Sequence, residues 1–313
     1  MNKITVIGSG SVGSTIAYTL VVMGIASEIV MIDINQEKSL GEALDIRQGV
    51  PFCNPASIYA GLYEDAKDSD IVIITSGLAR QPGQSRLDLA QTNVEVLKTI
   101  SGRIVEYAPN ATYIIVSNPV DVLTYVFHKI SGIPEERIIG SGTILDTARL
   151  RARISEYYDV NQKNVHAYVL GEHGDSAFVP WSIANISNVP IEDYREALLN
   201  SKEYPEFDRD EVENYVRKSG ANVIQRKGAT YYAVSMSVCH ICKCLLSGID
   251  TTMTVSTMLH GEYGIEDVCL SLLNIVGHEG AHSKVLLPLN EKEISALHHS
   301  AKCLKEIINS IKI

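Results

Sequence analysis

The hexapeptide Gly8-Ser9-Gly10-Ser11-Val12-Gly13 carries most of the information about the architecture of this chain. It follows the apolar run Ile4-Thr5-Val6-Ile7, opens a segment with helical apolar spacing, and is followed by Asp33, 20 residues beyond Gly13, after the next apolar run. Glycines at these positions permit a tight turn at which backbone N–H groups and a helix N-terminus can bind a pyrophosphate. An acid at the end of the second strand binds ribose hydroxyls and repels a 2′-phosphate. The pattern therefore predicts binding of a dinucleotide, and of NAD rather than NADP.

Similar apolar runs recur through the first 140 residues and alternate with segments of helical periodicity. The runs are residues 4–7, 29–32, 71–74 and 113–116. Strands without polar alternation are typical of a parallel sheet that helices cover on both faces. We therefore expect an α/β fold with a doubly wound parallel sheet in residues 1–141. The rhythm changes after that point, which predicts a second, mixed α+β domain in residues 142–313 and a ligand cleft between the two.

Charge and composition exclude several classes of function. The 313 residues contain 27 basic and 37 acidic side chains, a net charge of −10, without a run of five like charges. This balance argues against a nucleic-acid or anionic-membrane surface, so an anionic ligand has to be captured by a few well-placed arginines. The chain has no apolar stretch of the roughly 18 residues that a membrane span needs. Six cysteines in so long a chain, with no leader-like start, suggest a reducing cytoplasm rather than a disulfide framework.

Two motifs in the second half suggest proton transfer and carboxylate binding. His173 is flanked by glycines in Gly171-Glu172-His173-Gly174-Asp175, after an apolar run, where a ligand can approach the ring closely. The ordinary interpretation of surface or satisfied core residues is kept for seven other histidines: His128, His240, His260, His278, His282, His298 and His299. In Asp146-Thr147-Ala148-Arg149 the two charged residues lie three apart on a predicted helix, so both face one side. The alternative for this pair is a local ion pair worth only about 0.3 to 0.5 kcal/mol.

A loop after the strand at residues 71–75 contains two further arginines, Arg80 and Arg86, among glycine and proline. Loops at the carboxyl edge of such a sheet contact ligands, and this one could close over a substrate and place positive charge where an oxyanion develops. The alternative is an exposed loop with two solvated arginines.

The cluster Cys239-His240-Ile241-Cys242-Lys243-Cys244 could suggest a metal site. It lies in a predicted helix without a second pair of ligands, whereas a structural zinc site needs four. We therefore predict that these cysteines are small buried apolar residues and that the chain has no metal site.

Five ordered motifs resemble the L-lactate/malate dehydrogenase family, in its bacterial lactate dehydrogenase branch, across the whole chain. They are the glycine turn with Asp33, Ser85-Arg86-Leu87-Asp88-Leu89, Ser117-Asn118-Pro119-Val120-Asp121, Leu145-Asp146-Thr147-Ala148-Arg149 and Gly171-Glu172-His173-Gly174-Asp175. The resemblance implies a Rossmann domain that binds NAD, and a small 2-oxo or 2-hydroxy acid as substrate. It also implies a homotetramer, or a dimer. A sensor that kept the fold and lost the chemistry is the competing class, and the intact charged motifs argue against it.

The same resemblance implies roles for individual residues. His173 would donate and accept the proton, with Asp146 as its carboxylate partner, while Arg149 binds the substrate carboxylate and Arg86 polarises the carbonyl. Asn118 would hold the substrate oxygen and the nicotinamide ribose. The implied cofactor contacts are Gly8, Gly10, Val12, Gly13, Asp33, Thr75, Gly77, Asn118 and Ser141.

Substrate choice depends on Arg80, which occupies the loop position that faces the variable end of the substrate in the family. Lactate dehydrogenases usually have glutamine there, and malate dehydrogenases arginine. Arg80 can pair with the second carboxylate of oxaloacetate, whereas the methyl group of pyruvate would leave it unpaired. Two other pocket positions, Asp175 and Thr230, are of the lactate type. The sequence thus favours oxaloacetate and malate, with pyruvate and lactate as the alternative.

Arg151 and His166 match positions that bind fructose 1,6-bisphosphate across a subunit interface in the allosteric bacterial lactate dehydrogenases. Arg151 lies two residues from Arg149, so it points to nearly the opposite side of the helix. The resemblance therefore implies a sugar bisphosphate effector. A surface arginine and an unrelated histidine are the alternative.

Overall fold

The computed structural model describes residues 2–78, 86–199 and 203–313, with the side chain of residue 86 outside that set. The helices are α1 (Ser11–Met23), α2 (Gln36–Gly49), α3 (Arg86–Tyr107), α4 (Val120–Ser131), α5 (Ile144–Tyr158), α6 (Tyr194–Ala197), α7 (Arg209–Lys227), α8 (Tyr232–Leu245) and α9 (Glu291–Ile308). The strands are β1 (Lys3–Ile7), β2 (Glu28–Ile32), β3 (Ser57–Ala60), β4 (Ile71–Ile74), β5 (Thr112–Ile115), β6 (Ile138–Gly140), β7 (Val165–His166), β8 (Asn185–Ile186), β9 (Val189–Pro190), β10 (Thr251–Glu262), β11 (Ile265–Gly277) and β12 (Gly280–Val285).

The parallel part of the main sheet has the spatial order β3-β2-β1-β4-β5-β6. Each neighbouring pair is parallel, for example Ile4 with Ile71 and Thr5 with Val30. The strand order reverses between β1 and β4, so the loops that follow these two strands flank a crevice at their carboxyl ends. The predicted doubly wound α/β fold is confirmed, and ligands are expected at this crevice in a sheet of this kind.

The sheet extends further than the sequence indicates. Strands β10, β11 and β12 continue it in antiparallel fashion, and β10 joins the parallel part through a pair between Ser256 and Gly140. A small sheet of β7, β8 and β9 lies apart from it. The second half is thus mixed, as predicted, but it shares one sheet with the first half. The predicted limit between residues 141 and 142 falls between β6 and α5, and as a domain boundary it stays a prediction.

Buried apolar side chains connect the two halves of the chain. Helix α8 packs against α1, and Val238, Cys239 and Cys242 share a core with Ile16 and Leu20. The cysteine-rich segment is therefore part of this core. Within the described ranges, no helix is both long and apolar enough to cross a membrane.

Candidate active site

The turn after β1 has the geometry that pyrophosphate binding requires. Gly8 has a φ of +104°, which residues with a side chain rarely adopt. A Cβ on Gly13 would overlap the carbonyl oxygen of Gly8. Gly10 caps α1 without a side-chain hydrogen bond, and a Cβ there would meet no described atom within 4 Å. The N-terminus of α1 is thus accessible to a ligand phosphate, and the residues present fit the pyrophosphate of a dinucleotide.

Asp33 lies at the end of β2, and its carboxylate is fixed beside this turn. Its Oδ2 accepts a hydrogen bond from the backbone N–H of Ser9 at 2.6 Å, and Oδ1 accepts one from Asn35 at 2.8 Å. Each carboxylate oxygen can accept more than one hydrogen bond, so both can still accept from ribose hydroxyls.

A cavity of about 510 Å³ lies at the carboxyl ends of the strands. Residues predicted for the site from both halves of the chain line it: Val12, Thr75, Gly77, Asn118, Ser141, Asp146, Arg149, His173 and Thr230. Gly8 and Gly13 adjoin it through Thr75, which donates hydrogen bonds to the carbonyls of Ile7 and Gly8. A Cβ on Gly13 would lie 2.8 Å from the same Thr75 hydroxyl. Arg80 and the side chain of Arg86 lie outside the described residues, so their predicted contacts stay predictions.

The charged centre of the cavity consists of His173, Asp146 and Arg149. His173 Nδ1 lies 2.6 Å from Asp146 Oδ2, and Arg149 Nη1 donates to Asp146 Oδ1 at 2.9 Å. Asp146 is 7% exposed, and it lies one turn before Arg149 in α5, so both reach the same side. The intrahelical ion pair that sequence reasoning offered as the alternative does form, and the same carboxylate also binds the histidine.

The two partners shift each other's pKa in opposite directions. Burial opposes the charged form of His173, but the Asp146 carboxylate outweighs it and raises the pKa of the imidazole. For Asp146 burial again opposes charge, and the nearby His173 and Arg149 lower its pKa. The pair therefore favours an imidazolium beside a carboxylate, an arrangement suited to proton transfer.

The loop that carries His173 is held by contacts from three elements. The backbone N–H of His173 donates to Asp121 of α4 at 2.7 Å, and that of Glu172 donates to Ser300 of α9 at 2.7 Å. Gly171 exchanges two backbone hydrogen bonds of 2.9 Å with Ser271 of β11. Sequence reasoning named Asp121 only as the last residue of a family motif, without a role, and missed Ser300. An acid inside the apolar segment Val120-Asp121-Val122-Leu123 was the available signal for the first.

Another residue that sequence reasoning missed positions Asn118. The side chain of Asn93, 2% exposed in α3, donates to the Asn118 carbonyl at 2.7 Å and accepts from the backbone N–H of Leu78 at 2.8 Å. It thereby connects the segment after β4, which includes Gly77, to the segment after β5. Both segments line the cavity.

Arg151 and His166 lie away from this cavity. The Arg151 Nε donates to the Ala167 carbonyl at 3.0 Å, and its guanidinium lies 5.1 Å from the centre of the Tyr168 ring. His166 is exposed in β7. Arg151 and Lys163 line a separate depression of about 250 Å³. As the helical spacing predicts, Arg151 points away from Arg149.

The described part of the chain contains no cluster of three or more histidine, cysteine or acidic residues that could hold a metal ion. Cys239 and Cys242 are fully buried, and burial raises the pKa of the Cys242 thiol well above its usual value.

Known proteins match this chain over its whole length. The family model for the NAD-binding domain of lactate/malate dehydrogenase matches residues 2–140, and the model for the α/β C-terminal domain of the same family matches residues 143–312. An L-lactate dehydrogenase of a Thermoanaerobacter species is 46% identical over 313 residues, covering all of both chains. One of Acetivibrio thermocellus is 45% identical, covering 100% of this chain and 98% of the relative.

Solved structures agree with the sequence matches. The ligand-bound minor L-lactate dehydrogenase of Enterococcus mundtii superimposes with a TM-score of 0.94 at 36% identity, covering 100% of this chain and 99% of the other. A lactate dehydrogenase from a deep-sea metagenome library gives 0.93 at 40% identity, covering 99% and 98%. The chain belongs to the lactate/malate dehydrogenase family, and its cofactor is NAD.

Proposed function

We propose that the protein is an NAD-dependent L-lactate dehydrogenase that interconverts pyruvate and L-lactate. The observation that carries the proposal is the cavity in which His173, Asp146 and Arg149 meet the segments that follow β1, β4 and β5. The relatives described above are L-lactate dehydrogenases, which favours pyruvate over the oxaloacetate that Arg80 suggests. The sequence prediction of a malate preference is therefore the second candidate.

In the proposed mechanism Arg149 binds the substrate carboxylate with its planar guanidinium. The Asp146 carboxylate accepts a hydrogen bond from Nδ1–H of His173, which fixes the tautomer and leaves Nε2 to exchange a proton with the substrate oxygen. When bound, the nicotinamide supplies the hydride to C2 or removes it from C2. In the reducing direction His173 starts as the imidazolium that Asp146 stabilises, and it gives its proton to the developing alkoxide.

Other residues are proposed to orient the reactants. Asn118 holds the substrate oxygen and the nicotinamide ribose side, and Asn93 fixes its backbone by donating a hydrogen bond to its carbonyl. Ser141 and Thr230 line the same cavity. Arg86 polarises the carbonyl from the loop after β4, as the family resemblance implies. The backbone of Gly8, Gly10, Val12 and Gly13 receives the pyrophosphate, and Asp33 receives the ribose hydroxyls.

The test is kcat/KM for pyruvate and for oxaloacetate with NADH in the parent enzyme and in Arg80→Gln. The proposed function predicts at least tenfold higher kcat/KM for pyruvate in the parent, a difference of about 1.4 kcal/mol. The opposite preference, lost in Arg80→Gln, would establish the malate alternative. Arg47→Gln, which changes an exposed arginine in α2, is the matched control and should leave the ratio unchanged. Lack of turnover with both acids would overturn the dehydrogenase proposal and favour the sensor.

Arg151 and His166 are the proposed contacts for fructose 1,6-bisphosphate. The cationic residues Arg151 and Lys163 beside one depression are suited to an anionic effector. The effector should lower the KM for pyruvate in the parent and fail to do so in Arg151→Gln. Sedimentation with and without it tests the proposed homotetramer, since a ligand that bridges subunits favours the larger assembly.

A further inference from the structure

A second buried carboxylate lies beside His173, and the mechanism proposed above does not use it. Asp121 is 2% exposed in the first turn of α4, where its Oδ2 accepts the backbone N–H of His173. Its Oδ1 is buried and makes no hydrogen bond within the described residues. Burying a carboxylate with incomplete hydrogen bonding costs free energy. Asp121 lies next to the residue proposed to transfer the proton, and a functional role there would explain why a carboxylate is kept at this position despite the cost.

Groups from several elements face Asp121. The hydroxyl of Ser256 in β10 and the charge of His173 lower its pKa, whereas the carboxylate of Glu172 raises it. Cys269 in β11 is a fully buried thiol whose own pKa is raised well above the usual value, so it stays neutral. Burial is the largest effect and raises the pKa of Asp121 to about 6. The carboxylate is therefore mostly ionised at neutral pH and above.

The charges around His173 are consequently two carboxylates and one guanidinium. Asp146 contacts Nδ1 through Oδ2, Asp121 binds the backbone N–H, and Arg149 binds the other carboxylate oxygen of Asp146. Both carboxylates favour the charged ring and Arg149 disfavours it. The proposed mechanism needs Arg149 to bind the substrate carboxylate, so its positive charge has to stay in the site. A second anion near the ring offsets the destabilising effect of that charge on the imidazolium.

We propose that Asp121 is a positioning residue for His173, holding its backbone N–H through Oδ2 and supplementing Asp146 in stabilising the imidazolium. The inference rests on the proposed dehydrogenase function, in which His173 exchanges the proton. It assigns to α4 a share in setting the pH range of the reaction.

The stability of the fold distinguishes this role from a purely structural one. The pKa of Asp121 is higher in the folded state than the usual value of 3.8, so its contribution to stability is present below that value and is lost as the pH rises through about 6. At pH 8 the charged carboxylate therefore weakens the fold relative to a neutral acceptor. An amide would hold the His173 N–H without this cost.

Asp121→Asn tests the proposal with little change in shape. The amide oxygen can still accept from the His173 N–H, and its NH2 can donate to the oxygen of the nearby Ser256 hydroxyl. Pyruvate reduction requires protonated His173, so kcat/KM for pyruvate falls as the pH rises through the pKa of His173. Lactate oxidation requires the neutral ring, so kcat/KM for lactate rises over the same pH range. We expect both of these limbs of the pH profiles to move to lower pH by about one unit, which lowers kcat/KM for pyruvate about tenfold at pH values above the pKa of His173.

Asp267→Asn is the matched control. It removes one acidic charge in β11 from an exposed ion pair with Lys129 of α4, and it should leave the pH profile unchanged. Thermal unfolding at pH 8 gives a second measurement, in which Asp121→Asn should be at least as stable as the parent. Ser256→Ala serves if Asp121→Asn does not fold. Loss of the hydroxyl leaves Asp121 less ionised and should move the limbs in the same direction by a smaller amount.

Each result has a definite consequence. Shifted limbs in Asp121→Asn, or in Ser256→Ala if the first does not fold, with an unshifted Asp267→Asn support the inference. Unshifted limbs in the tested variant, in an enzyme that turns over pyruvate or oxaloacetate, overturn the inference and leave the proposed function intact. A parent enzyme without turnover overturns both.

Discussion

The turn proposed to receive the dinucleotide and the charged centre that contains His173 are built in opposite ways. The turn relies on backbone shape: Gly8 and Gly13 supply a conformation and a close approach, and the single acid Asp33 is only half-buried. The proposed catalytic centre relies on buried charge, with Asp146 bound to both His173 and Arg149. Substitutions in the turn should therefore act through sterics, on the fold and on cofactor affinity. Those in the centre should act through electrostatics, on the rate.

Asp146→Asn should lower the rate more than the other substitutions considered. It tests whether the charged centre around His173 acts through electrostatics. The amide cannot stabilise the imidazolium, and it can donate to Nδ1 and so favour the wrong tautomer. By analogy with other carboxylate–histidine pairs, we expect kcat for pyruvate reduction to fall by ~10³-fold or more. NADH affinity, measured by fluorescence titration, should stay within about twofold, because the turn is unchanged. A loss of NADH binding equal to the loss of kcat would show that the two regions are not separable.

Gly13→Ala tests the steric half. Its Cβ would overlap the Gly8 carbonyl, which is backbone and cannot rotate away, so we expect a loss of about 1 to 3 kcal/mol in the free energy of unfolding, together with weaker NADH binding. Denaturant unfolding measures the first and titration the second. Gly10→Ala is the matched control: its Cβ meets no described atom, so it should retain stability and lose only cofactor affinity. Equal stability of the two variants would contradict the steric explanation.

The two regions also differ in how far the sequence predicts them. The turn is local: its strand, its glycines and Asp33 occur within 30 residues, so spacing alone indicates their function. Spacing also indicates that Asp146 and Arg149 share a helix face, and the resemblance to a family assigns them to His173. Asn93, Asp121 and Ser300 could not be assigned in this way. Asp121 and Ser300 act on the loop across 52 and 128 residues of chain, and a polar residue in an apolar helix does not reveal which element it contacts.

The continuation of the sheet was missed for a similar physical reason. The strands β10 and β11 are recognisable from their apolar runs, but strand pairing is a long-range property, and β10 meets β6 through one pair, Ser256 with Gly140. That junction places Ser256 near Asp121. The proposed catalytic centre therefore depends on contacts that the chain forms only when both halves have folded together.

Ser300→Ala should have the smallest effect. Ser300 supports the proposed catalytic centre by holding its backbone and not by charge, so this variant tests whether the centre also depends on backbone position. The fully buried Ser300 hydroxyl accepts the N–H of Glu172, next to His173. Its loss leaves a donor unsatisfied, so we expect a cost of about 1 kcal/mol in the free energy of unfolding and a few-fold lower kcat with an unshifted pH profile. Ser310→Ala, which removes an exposed hydroxyl beyond the end of α9, is the control and should change neither quantity. A pH profile that moved in Ser300→Ala would mean that loop position, and not the charge of Asp121 and Asp146, sets the protonation of His173.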